Sequence, residues 1–164
     1  MSYLKERLRL FQIKSFRYFI LSSFFATFGG GLSYIIVTWL VMGQGHEMRN
    51  VAIVMICYWL PVVVLGPFAG VLADRYNRKA LMLMTNFIRG IILVGFALMI
   101  QSKISATSIY WLCLALGVGI GLYIPVVMTF VREIVPENQL LNANATLDMV
   151  YELGSILGMG GPVL

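Results

Sequence analysis

The chain has 164 residues, 60% hydrophobic and only 12% charged, with 12 Lys+Arg against 7 Asp+Glu and a formal net charge of +5. An average soluble domain is about 25% charged; half that amount excludes a water-soluble globule, a disordered tail and a nucleic-acid-binding arm. Cys57 and Cys113 lie inside long apolar runs and His46 is the single histidine, so neither a disulfide framework nor a metal or cofactor centre is expected.

Residues 1–17 interleave Tyr3, Leu4, Leu8, Phe11 and Ile13 with Lys5, Arg7, Arg9 and Lys14. That pattern suits a short amphipathic segment on the cytoplasmic leaflet. A bilayer core takes about 20 apolar residues per helix, and five spans are expected, at about 18–42, 51–73, 80–101, 105–131 and 140–164. Arg89 interrupts the third, and the fifth carries Asp148 and Glu152. The joining loops are short, so the spans are packed neighbours in one all-α membrane bundle. The last run is still apolar at Leu164. The chain is therefore expected to be the N-terminal part of a longer protein whose C-terminal half is missing here.

Charge sets the sidedness. Lys5, Arg7, Arg9, Lys14 and Arg17 precede the first span, Arg75, Arg78 and Lys79 join the second to the third, and Arg132 follows the fourth. Only Arg49 and Lys103 fall on the opposite side. This bias puts the N-terminus in the cytoplasm of a multi-pass protein of the cell (inner) membrane, with membrane lipid as its surroundings.

The loop between the second and third spans reads Gly70-Val71-Leu72-Ala73-Asp74-Arg75-Tyr76-Asn77-Arg78-Lys79. Gly70, with Gly66 four residues before it, offers a small face for close backbone approach. Asp74 can hold Arg78 across the turn. The run resembles the signature of the major facilitator superfamily, Gly-x-Leu-x-Asp-Arg-x-Gly-Arg-Lys, with Asn77 where that family has Gly. Asn is the next residue most tolerant of a left-handed turn. The resemblance implies that Asp74 and Arg78 join an acid at the inner end of the fourth span, here Glu133, in a cluster that steadies the outward-facing state. Without it, Arg75, Arg78 and Lys79 are topology signals only. Pro125, Val135-Pro136-Glu137 and the run from Leu140 to Ala145 are similar to the span four to five junction of bacterial macrolide and enterobactin exporters. The same stretch is also similar to lysophospholipid transporters. Gly154, Gly158 and Gly161-Pro162 resemble a loose form of the glycine-proline motif of drug antiporters. Cys113 stands four residues before Gly117, where proton-coupled exporters often carry an arginine.

A charge at the bilayer centre costs roughly 2.5–3.5 kcal/mol on insertion scales, so Arg89, Asp148 and Glu152 need explaining. Asp148 and Glu152 share a helix face with Asn144, Tyr151 and Ser155, away from the glycine stripe. That face is expected to line a wet path, with either acid as a proton or cationic-substrate site. An ion pair with Arg89 or Arg132, or solvated acids at the inner mouth, are the other readings. Arg89 balances an acid, snorkels, or touches substrate. Gly29, Gly30 and Gly31 in the first span, and Gly117, Gly121 and Pro125 in the fourth, allow bending or close packing. No His/Glu metal pattern or phosphate loop suggests an enzyme. The resemblance implies alternating-access export of an amphipathic small molecule, with protons as coupling ion. The rivals are lysophospholipid flipping and, in another class, a non-transporting anchor or sensor.

Overall fold

A computed structural model describes residues 10–43, 48–99 and 105–160. They form five helices: α1 (Lys14–Gly43), α2 (Met48–Arg75), α3 (Arg78–Met99), α4 (Ala106–Ile134) and α5 (Leu140–Gly160). A single 3-10 turn, Glu137–Gln139, precedes α5. No strand occurs among the described residues.

α1 to α4 each overrun the expected apolar span at one end or both, while α5 begins where expected. α1 starts at Lys14, so Lys14 and Arg17 ride on its first turn instead of ending a separate segment; residues 1–9 lie outside the described residues. α1 to α4 are long and apolar enough to cross a membrane. α5 is not among them. Its 21 residues would reach about 31 Å at 1.5 Å per residue, but Asn142, Asn144, Asp148 and Glu152 make it too polar by composition. The apolar run expected to continue through Pro162 to Leu164 lies outside the described residues.

The chain divides into two units. The first joins residues 1–35 to 130–164. Its core holds Phe16, Phe19 and Ile20 of α1 with Val131, Val135, Ala143 and Leu147, and Phe19 meets Phe130 edge-on at 5.5 Å. Along the rest of the contact the backbones of α1 and α5 nearly touch. A Cβ on Gly154 would meet Thr27 and Phe24, one on Gly158 would meet Phe28 and Leu32, and one on Gly31 would meet the Ser155 carbonyl. Thr27 Oγ1 turns back to donate to the Ser23 and Phe24 carbonyls, at 2.9 and 3.0 Å. In this way an intramembrane hydroxyl is satisfied within its own helix.

The second unit spans residues 36–129. Val37, Val41, Val54, Tyr58, Ile109, Leu112, Cys113 and Leu116 form its buried core. The glycines of α4 alternate between two neighbours because residues two apart lie about 200° apart on a helix. Gly117 and Gly121 seat α2: Cβ atoms there would collide with the Tyr58 carbonyl and with Pro61 and Val62. Gly119 faces the other way, onto the stem of Arg89 in α3. Pro61 sits inside α2, where it can donate no hydrogen bond to the carbonyl of Cys57, four residues back.

Candidate functional site: the turn between α2 and α3 and the charges on the helices

Between α2 and α3 only Tyr76 and Asn77 are non-helical. Helical bonding persists to Tyr76, whose N–H donates to the Leu72 carbonyl at 3.1 Å. Asn77 caps α3: its Oδ1 accepts the Ala80 N–H at 3.1 Å, while its carbonyl accepts from Leu81 at 3.0 Å. This is the N-cap arrangement. Asn77 thus contributes an acceptor side chain that glycine lacks, a role different from the tolerated left-handed turn expected of it.

Asp74 and Arg78 stand one helical turn apart in number and meet across the junction, Oδ1 to Nη2 3.8 Å. Arg78 Nε also donates to the Ala73 carbonyl at 3.3 Å, so the guanidinium covers the last turn of α2. The Asp74 side chain is 71% exposed and that of Arg78 31%. An exposed pair at this distance is worth about 0–1 kcal/mol. Its value therefore lies in positioning rather than stability. Arg75 and Lys79 are exposed beside it, and Glu133 is exposed near the end of α4, in the other unit.

Among the described residues no neighbour makes the close approach expected at Gly66 and Gly70. A Cβ on either would meet nothing within 4 Å among the described residues. The small face is present but is not occupied by a described helix. Gly29 is open in the same sense. α1 runs without a break through Gly29, Gly30 and Gly31, and Ser33 donates to the Gly29 carbonyl at 2.7 Å. Pro125 sits inside α4, where its carbonyl accepts from Thr129 at 3.2 Å.

Asp148 and Glu152 are both exposed on α5 along with Asn144, while Gly154 and Gly158 of the same helix are buried against α1. α5 therefore has an acidic face and a packed glycine face. Neither acid forms an ion pair among the described residues. Arg89, in the second unit, packs its Cγ and Cδ over Gly119, and its Nε is buried without a hydrogen-bond partner among the described residues. Cys113, four residues before Gly117, is 1% exposed in the core of the second unit. Sequence reasoning missed Gly119 as the seat of Arg89 and Tyr123 as a second buried polar group. The alternating glycines 117, 119 and 121 carried the signal.

Residues 17–162 match the family model of the Major Facilitator Superfamily. An uncharacterized MFS-type transporter, YfiS, of Bacillus subtilis (strain 168) is 27% identical over 145 residues, which are 85% of this chain and 33% of the relative. The staphyloferrin A transporter of Staphylococcus aureus (strain NCTC 8325 / PS 47) is 32% identical over 69 residues, 42% of this chain and 17% of that protein. No solved structure matches. The chain spans about a third of the length of the first relative. With the match covering nearly its whole length, the chain belongs to the major facilitator superfamily, a family of membrane transporters, and carries the N-terminal part of its helical bundle.

Proposed function

We propose that the complete protein is a secondary active exporter of amphipathic or hydrophobic small molecules, driven by exchange for protons. It sits in the cell membrane with its N-terminus in the cytoplasm. The two halves of such a transporter rock about a midplane site, and this chain supplies part of the first. The carrying observation is the α2–α3 junction, where Asp74 meets Arg78 over a two-residue link. A membrane anchor or sensor has no use for an acid there, whereas a rocking bundle needs an inner latch that can close and release. A weak exposed pair suits that task because its equilibrium is easily reversed. Gly70, Arg75 and Lys79 belong to the same motif on the resemblance.

Coupling is assigned to the acidic face of α5. Asp148 and Glu152 lie one turn apart on the exposed, polar face of that helix. Asp148 and Glu152 are then the exchange site for protons or the seat of a cationic substrate group. Similarity to a protein named staphyloferrin A transporter supports a small-molecule cargo. The deciding measurement is transport by the full-length protein in proteoliposomes, with and without a pH gradient, against amphipathic dyes and lysolipids. Dye export that follows the gradient supports the reading. Movement of lysolipids alone would turn the assignment to lipid flipping, and no movement of either would refute it.

A further inference from the structure

Arg89 and Tyr123 are two buried donors in one unit that no described residue satisfies. Arg89 Nε and the Tyr123 hydroxyl are both without a hydrogen-bond partner among the described residues, and the Tyr123 residue is only 5% exposed. No described acid lies within ion-pair distance of Arg89. Arg89 sits at a contact between α3 and α4. Gly119 leaves room for the Arg89 stem, since a Cβ there would stand 2.6 and 2.7 Å from Arg89 Cγ and Cδ. Tyr123 follows Gly119 by one turn on the same face of α4.

Direction brings them together. α3 meets α4 at Arg89 and Gly119, while Phe96, farther along α3, packs on the core that holds Leu112 and Ile109, earlier in α4. The helices are therefore antiparallel. Side chains lean toward the N-terminus of their own helix, so those of Arg89 and Tyr123 lean toward the same level from opposite sides. A guanidinium is all donor and always charged. The group that completes it is an acceptor bearing negative charge, and a phenol hydroxyl adds a neutral donor to the same acceptor.

The geometry points to an oxyanion subsite in which the Arg89 guanidinium, held by its stem over Gly119, and the Tyr123 hydroxyl receive a carboxylate or phosphate group of a bound molecule. This deepens the export reading by naming an anionic group on the cargo or on a resident lipid, and it rests on that reading only for its use. Binding is therefore measured apart from transport. The full-length protein in a neutral maltoside detergent is titrated calorimetrically with succinate and with inorganic phosphate. Phosphatidylglycerol retained through purification is read by native mass spectrometry.

The expected result is that at least one of the three binds. Arg89→Gln weakens it about tenfold or more, Arg89→Lys keeps part of the affinity, and Tyr123→Phe weakens it several-fold. Succinate or phosphate binding identifies a cargo group, and phosphatidylglycerol alone identifies a lipid headgroup. If Arg89→Gln does not fold, Arg89→Lys and Tyr123→Phe carry the test. Absence of all three from the parent protein, or Arg89 and Tyr123 variants that bind as the parent does, overturns the subsite. A parent that binds an anion but moves no dye or lysolipid counts instead against the export reading.

Discussion

Replacing Gly117 by alanine tests whether α4 is seated on α2 by backbone contact. The added Cβ would overlap the Tyr58 carbonyl oxygen and come within 3.1 Å of both the Tyr58 carbonyl carbon and Pro61 Cγ. Neither a carbonyl nor a proline ring can swing aside, so the helices must separate. Forced overpacking of this kind costs about 1–3 kcal/mol, while alanine recovers up to about 1 kcal/mol of helix propensity. The net expectation is a loss of about 1–2 kcal/mol, or a roughly 5- to 30-fold rise in the opened population. Cys113 reports it directly, being 1% exposed one turn from Gly117 in the same core. Its labelling rate with a maleimide, mapped by mass spectrometry in detergent, should rise by that factor in Gly117→Ala. Gly66→Ala, where nothing stands within 4 Å, should leave the rate unchanged or slightly lower. Equal rates in Gly117→Ala and the parent, or equal rises in both variants, would refute the seating.

Asn77→Ala should destabilise α3 by about 1 kcal/mol and Asn77→Gly by only a few tenths, read as shifts in thermal unfolding; a gain in stability with glycine would show a left-handed turn instead of a cap. Asp74→Asn should change unfolding by less than about 1 kcal/mol yet slow transport in proteoliposomes, and full activity would remove the latch role. Asp148→Asn and Glu152→Gln should flatten the pH dependence of export; an unaltered profile in both variants would take the coupling role away from α5. Tyr76→Cys in whole cells should react with membrane-permeant thiol reagents and resist impermeant ones, the reverse placing the α2–α3 turn outside.

What could be read from residues alone was whatever depends on long runs. Apolar stretches and the Asp-Arg-x-x-Arg-Lys turn located the first four helices and the junction to within a few residues, because lipid leaves a buried span no other way to satisfy its backbone. Pairwise packing was less legible. Gly66 and Gly70 look as suited to close approach as Gly117 and Gly121, and only the second pair meets a neighbour among the described residues. Periodicity states which face a glycine shares, not what lies opposite. Asn77 was readable as a cap from its place just before Arg78-Lys79-Ala80, but alignment with a glycine position drew attention to the turn. Arg89 was conspicuous as a charge, whereas its seat on Gly119 depends on a helix thirty residues away.

The link of Tyr76 and Asn77 has a mechanical side. α2 and α3, with 28 and 22 residues, are rods of about 42 and 33 Å that share one short joint capped by Asn77. With no slack in the connection, a tilt of either rod is passed through its foot to the other. A swing of about 10° at the joint would carry the far end of α2 through roughly 7 Å, taking its length from the rise per residue. Small rearrangements of the salt link at the foot are thereby magnified at the opposite face of the membrane.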